Sequence, residues 1–257
     1  MSIELREVTT RHDLREFAYF PQRLYQGNSC WVPPFYNNVI KSFLPEFNAA
    51  YEYSRSRQWL AYRNGEVAGR IAAILSDGHR QRWNQAYMRF GWIDFIDDRE
   101  VSAALLGVVE AWAGEMGCEA VHGPLGFTDM DQAGMLVEGF NEPGTLATIY
   151  NHPYYPTHLE RLGYSKDTDW VEFELTVPPS PDPKIARLAE VIKKREKLRF
   201  LEFRRKQDML TKAGELFELF NEGYRNLYGY VPLNDKQVQS NTPRMQLSAN
   251  IKNPNGA

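Results

Sequence analysis

Apolar residues recur along the chain with two periods, and the change of period marks out its elements. Between residues 91 and 127 an apolar strand runs into an acidic turn, then into a segment with Val101, Leu105, Val108, Trp112 and Met116 at three- and four-residue spacing, then into a second apolar strand. That spacing puts the five side chains on one helix face, so the stretch predicts a β-α-β unit. Asp97 and Glu100 have capping-box spacing, and Gly117 stands where a helix-ending glycine is expected. The turn entering such a helix carries free N–H donors and partial positive charge, which makes it a natural anion site. Here it is filled with carboxylates.

Period-two alternation predicts further strands. Residues 3–8 read as a half-buried strand, with Thr9, Thr10 and Asp13 as cap candidates for the helix that follows. Pro21 predicts that one helix stops near Phe20 and a second, short one spans 21–26, closed by Gly27 and Asn28. Residues 31–35 are extended, because each proline pushes its predecessor out of the α region. Residues 58–75 form two apolar strands around Asn64 and Gly65, the clearest hairpin signal in the chain. A fourth strand covers 87–95, a short helix 157–162 ends at Gly163, and 170–177 alternates again as a strand.

A proline cluster at 178–183 then reads as a linker, and Asp182 and Pro183 open an amphipathic helix with Ile185, Leu188, Ala189 and Ile192 on its buried side. Beyond it the opening pattern returns. Residues 3–17 and 199–213 each give an alternating strand, a basic turn ending in Asp13 or Asp208, and a helix; about twenty residues later Trp31-Val32-Pro33 is matched by Tyr230-Val231-Pro232. This self-similarity predicts a duplicated unit. The division expected is a domain over 1–178, a linker helix over 179–197, the first strand and helix of a second domain over 198–233, and a disordered polar tail over 234–257.

Composition narrows the classes. With 43% hydrophobic and 25% charged residues over 257 positions the chain is an ordinary globular one, and a formal net charge of −3 gives no general attraction to nucleic acid or anionic membrane. No stretch reaches the roughly 18 apolar residues of a membrane span, and the first residues lack a signal-peptide pattern, so a cytoplasmic location is expected. Cys30 and Cys118 lack disulfide-framework or zinc spacing. The basic run from Lys193 to Lys206 reads as cations at a helix C-terminus and an exposed strand face, with phosphate or nucleic-acid contact as the alternative. Neither a Ser-His-Asp arrangement nor a glycine-rich nucleotide loop is legible.

The order of elements, the hairpin QWLAYRNGEVAGRIAAIL, the helix SAALLGVVEAWAGEMG and the later ERLGY resemble the GNAT acyltransferase fold. More narrowly, GPLGFTDMDQAGMLVEGF with ATIYNHPYYP is similar to bacterial two-domain GNAT-like proteins of unknown substrate; the likeness spans about residues 1–233. The resemblance implies an α/β (α+β) fold with a mixed, mostly antiparallel twisted sheet flanked by helices, plus a partial second copy. It also implies acetyl-CoA or another acyl-CoA as cofactor, received between splayed central strands, with a small amine or peptide as acceptor.

The family's motifs are only partly present. GNAT members carry an (R/Q)xxGxG/A turn before the long helix, where this chain has Asp97, Asp98, Arg99, Glu100, Val101 and Ser102, with no glycine. At about 5 Å and an effective dielectric near 20, each carboxylate–phosphate pair costs on the order of 3 kcal/mol before screening. Coenzyme A is therefore not expected to bind this domain in the family's way. The family's proton-donating tyrosine maps to Leu159, which leaves Tyr155, one helical turn earlier, or His158 as a displaced acid, and Asn151 stands near the family's asparagine beside the cofactor. Asp129, Asp131 and Glu138 read as an acid/base or metal cluster or as helix caps, and Phe127, Tyr150 and Tyr154 as a pocket lining or as core. The leading expectation is an acyl-CoA-dependent N-acyltransferase family member, inactive in this chain alone. The alternatives are a non-catalytic ligand- or protein-binding domain and an aminoacyl-tRNA-dependent transferase.

Overall fold

The computed structural model describes residues 2–199, 201, 203, 208 and 210–239. A five-stranded sheet in sequential order carries the architecture: β1 (Glu4–Glu7), β2 (Ser54–Arg63), β3 (Glu66–Ser76), β4 (Tyr87–Phe95) and β5 (Ala120–His122). The first four pair antiparallel and β5 runs parallel to β4. The fold is thus a mixed, mostly antiparallel α/β sheet flanked by helices. Asn64 and Gly65, at φ 55° and 83°, make the expected tight turn between β2 and β3, where only residues tolerant of positive φ fit.

Helix α4 (Arg99–Glu115) packs on one face of the sheet through Val101, Leu105, Val109 and Trp112, and with Phe90, Phe95 and Tyr155 forms one core. On the other face α1 (Arg11–Leu24) buries Leu14, Phe17, Ala18 and Phe20 with Val39 of α2 (Tyr36–Ser42) and its C-cap Phe43, forming a second core that includes Phe127. Ala72 and Ile74 of β3 point to this core while Ile71 and Ala73 point to the other, so the central strand reads as a continuous apolar run. A short α3 (Asp77–Trp83) links β3 to β4, and α5 (Tyr154–Arg161) follows the long loop after β5.

Four expectations are corrected. The helix does not stop at Phe20: α1 continues through Pro21, because the carbonyl of Phe17, which Pro21 cannot serve, accepts a hydrogen bond from Arg70 Nη1 at 2.9 Å. The N-cap of α4 is Asp98, not Asp97; its carboxylate accepts from the backbone N–H groups of Glu100 and Val101, and Glu100 pairs with Arg63 instead of closing a capping box. Residues 170–177 belong to no strand of the sheet; Val171, Phe173, Leu175 and Val177 are 75–86% exposed, since no neighbouring edge meets them. The helix α6 (Pro183–Arg195) forms with Asp182 as N-cap, yet it buries no residue.

The expected second copy falls on residues that are only partly described. Its strand falls largely on residues outside those described, while its helix α7 (Ala213–Tyr224) is present and buries Ala213 and Phe217. The segment after it turns back onto the first unit. Tyr230, Val231 and Leu233 are buried, the Trp83 indole donates to the Tyr230 carbonyl at 2.9 Å, and Gln237 Nε2 donates to the Tyr53 hydroxyl at 2.9 Å. The tail expectation therefore fails for 234–239, where 235–239 is helical; 240–257 lies outside the described residues.

Candidate functional site

A charged residue sits in each of two apolar strands, Arg70 in VAGRIAAIL and Asp94 in GWIDF. A bulge puts them together. Between the pairs Ala72–Gly91 and Arg70–Asp94, β3 has one residue and β4 has two, Trp92 and Ile93, with Trp92 at φ 46°. Arg70 Nε and Nη2 both reach Asp94 Oδ2 at 2.7 Å, and the two residues are 5% and 7% exposed. The Tyr25 hydroxyl donates to Asp94 Oδ1 at 2.7 Å and lies 3.1 Å from the Tyr155 hydroxyl. Burial, then the Asp94 charge, pushes both phenols well above their ordinary range, so both stay protonated.

This network is the floor of a cavity of about 230 Å³ between α1, the 31–39 segment, β4 and the loop after β5. Trp31, Trp92, Tyr150 and Asn151 line its walls together with Asp131. Tyr150 is held by the Asn28 amide at 2.8 Å. Asn151 is spent on structure: its Oδ1 accepts from Leu136 N at 2.7 Å and its Nδ2 donates to Leu136 O at 3.1 Å, pinning the loop. At the mouth Val32, Phe35, Met130 and Leu146 are 37%, 63%, 63% and 49% exposed.

Beside the cavity, backbone groups of β4 and of the turn before α4 are taken up within the chain. β4 and β5 pair only as far as Arg89 and His122; beyond that point β4 stays paired with β3 to Phe95, while on its other edge the Leu125 N–H donates to the Phe90 carbonyl at 2.7 Å. The freed backbone of Phe95 is taken by α5: Tyr155 Oη accepts its N–H at 3.0 Å and the Tyr154 hydroxyl donates to its carbonyl at 2.6 Å. Tyr155 also stacks on the Phe95 ring at 4.2 Å. In the turn before α4, Asp98 occupies two N–H groups and itself pairs with Arg63 at 2.9 Å.

His158 lies on the α4 side, outside the cavity. Its Nδ1 is 2.8 Å from Ser102 Oγ and its Nε2 2.9 Å from Asp97 Oδ1, a Ser-His-Asp chain the sequence did not reveal. Ser102 is 1% exposed and also donates to the Arg99 carbonyl at 3.1 Å, so it presents no nucleophile; the chain ties α5 to the first turn of α4.

Of the other residues singled out in the sequence, Phe127 is core and does not line the cavity. Asp131 Oδ2 accepts from Thr128 N at 3.0 Å, as a local turn would have it. The Asp129 carboxyl is raised by desolvation against the pull of Arg89, and Glu138 is exposed, away from the cavity. Among the described residues no group of three His, Cys, Asp or Glu could hold a metal ion. Nor is any helix there long and apolar enough to cross a membrane. Sequence reasoning missed Arg70, Asp94, Tyr25 and Trp31, although opposite charges inside adjacent apolar strands were a readable signal.

A second polar cluster lies at the other end of β4. Arg89, 2% exposed, donates to the carbonyls of Gly126 at 3.0 Å and Gly229 at 2.5 Å and to His79 Nδ1 at 3.1 Å. Since Arg can only donate, His79 carries its proton on Nε2. Burial and then Arg89 lower His79 to about 4 and His122 to about 3.

No protein-family model matches the chain. It is 30% identical over 238 residues to protein YghO of Escherichia coli, covering 91% of this chain and 59% of that one. It is 25% identical over 246 residues to a protein named bacterial ceramide synthase from Caulobacter vibrioides, covering 90% of this chain and 60% of that one. The chain thus spans about three fifths of the length of these curated relatives. Among solved structures it is similar to an acetyltransferase with acetyl-CoA from Clostridium acetobutylicum, at TM-score 0.41 and 11% identity over 67% of this chain and 96% of that one. A ribosomal-protein-alanine N-acetyltransferase from Brucella melitensis matches at TM-score 0.36 and 12% identity, over 69% of this chain and all (100%) of that one.

Proposed function

We propose that this chain is the acceptor-binding part of an acyl-CoA-dependent N-acyltransferase, and that acyl-CoA binds outside this sheet. The carrying observation is that both groups of donors an acyl-CoA would need here are already used: the first N–H groups of α4 by Asp98, and the Phe95 N–H by Tyr155. An open cavity with a phenol floor remains beside them. A relative named bacterial ceramide synthase is in keeping with this chemistry, ceramide being an amide. In such a reaction the amine nitrogen bonds to the thioester carbonyl carbon, the C–S bond breaks, and a proton leaves the nitrogen for the departing thiolate.

On this reading Tyr155, kept protonated, braces the cavity floor between the Tyr25 hydroxyl and the Phe95 N–H. Asn151 holds the cavity wall, and His158 fixes the helix that carries Tyr155. Calorimetric titration with acetyl-CoA tests the assignment. No saturable heat at millimolar cofactor is expected, whereas micromolar binding to this chain would overturn it.

A further inference from the structure

Independently of that reading, we infer that two copies of this chain associate about a two-fold axis, the apolar face of segment 171–177 in each covering the apolar face of α6 in the other. The first observation is a pair of faces that nothing among the described residues covers. Val171, Phe173, Leu175 and Val177 alternate onto one side of an extended segment and are 75–86% exposed. Ile185, Leu188 and Ile192 share one side of α6, a helix that buries none of its residues. The root of the segment is fixed, since Trp170 packs edge-on against Tyr228 at 5.7 Å and the Tyr228 hydroxyl donates to Asp167. Apolar faces held out in water favour a partner that covers them.

The second observation is what keeps the two faces apart within one chain. Between them stand Pro178, Pro179, Pro181 and Pro183, which fix φ and hold the preceding residues extended, so the short connection is a stiff spacer. Such a spacer holds the segment off its own helix and offers it to another copy. The third observation is charge. Residues 166–175 carry Asp167, Asp169, Glu172 and Glu174 against Lys166, a net −3, whereas residues 183–197 carry six Lys or Arg against Glu190 and Glu196, a net +4. Segment on segment, or helix on helix, would set like charges together; segment on helix sets opposite charges together. Two such contacts related by a two-fold axis use both faces of both copies, which closes the assembly at a dimer.

Sedimentation velocity of the full chain at about 50 μM, above the micromolar end of such interfaces, is expected to give a dimer that weakens as salt rises. Phe173→Ser with Leu188→Ser, both at exposed positions, should weaken dimerisation at least about tenfold, with circular dichroism confirming the fold. Glu172→Lys with Glu174→Lys, and separately Lys184→Glu with Arg195→Glu, should each weaken the homodimer at least about tenfold. Mixing these two charge variants should restore a dimer, because each segment then faces a helix of opposite charge, a result that damage to either chain alone cannot produce. Monomers at that concentration leave the faces to a partner of another kind and overturn the inference. So does a dimer that the Phe173 and Leu188 substitutions leave intact, or a mixture of the two charge variants that stays monomeric.

Discussion

Arg70 donates through Nη1 to the carbonyl of Phe17, the helix carbonyl that Pro21 leaves without a partner, while its other nitrogens hold Asp94. One buried guanidinium thereby repairs a proline in α1 and neutralises a carboxylate on β4. Arg70→Met removes both services and leaves Asp94 buried and uncompensated, an expected loss of about 3–5 kcal/mol. Urea unfolding measures it. Adding Asp94→Asn should recover part of the loss, and failure to recover any would place the cost at the Phe17 carbonyl alone.

Tyr155→Phe keeps the ring on Phe95 but deletes the acceptor for the Phe95 N–H and the partner of Tyr25. A loss of about 1–3 kcal/mol is expected for the buried groups left unpaired. Hydrogen exchange at the Phe95 amide should speed up together with the fall in stability; an unchanged exchange rate would contradict the bond from the Phe95 N–H to Tyr155 Oη.

His79 and His122 predict an acid-sensitive fold. Their folded-state values, about 4 and about 3, lie below that of an unfolded histidine near 6.5, so only the unfolded chain takes up protons as pH falls through 6.5. Stability is full above that pH and declines as pH drops toward 4, by up to ~1.4 kcal/mol per pH unit for each histidine. Urea midpoints between pH 4.5 and 7.5 should show this slope, and His79→Gln should roughly halve it.

Gly91 and Gly107 differ in what an added methyl would meet. A Cβ at Gly91 stands 2.5 Å from the Leu125 carbonyl, whereas one at Gly107, in α4, meets nothing within 4 Å. Gly91→Ala is expected to cost about 1–3 kcal/mol through strain where the chain leaves β5. Gly107→Ala should stabilise by up to about 1 kcal/mol. Thermal melts of the pair settle the contrast.

The hairpin, the long helix and the order of strands were legible because their signals are local: Asn64 with Gly65, and the three- and four-residue spacing from Val101 onward. What was not legible depends on partners distant in sequence. Pro21 signals a helix stop unless something serves the Phe17 carbonyl, and that something is 53 residues away. Asp97, Asp98 and Glu100 are equivalent cap candidates until His158 takes Asp97 and Arg63 takes Glu100 and one oxygen of Asp98, whose other oxygen accepts from the helix N–H groups. For the site, Tyr155 and Asn151 were singled out by resemblance and do stand at the cavity, but Arg70 and Asp94 required the bulge at Trp92 to face one another. Residues 170–177 alternate as a strand should, yet alternation alone cannot supply a neighbouring edge.

The return of the 225–237 segment to the first unit sets an order of assembly. Arg89 on β4 reaches Gly229, Trp83 reaches Tyr230, and Gln237 reaches Tyr53, across 140, 147 and 184 positions. During synthesis the sheet can pair once β5 has emerged, but Arg89 then still lacks its Gly229 acceptor. That buried guanidinium finishes its coordination only after more than a hundred further residues have left the ribosome. The Arg89 end of β4 therefore completes its contacts late, although its strands are among the earliest to meet.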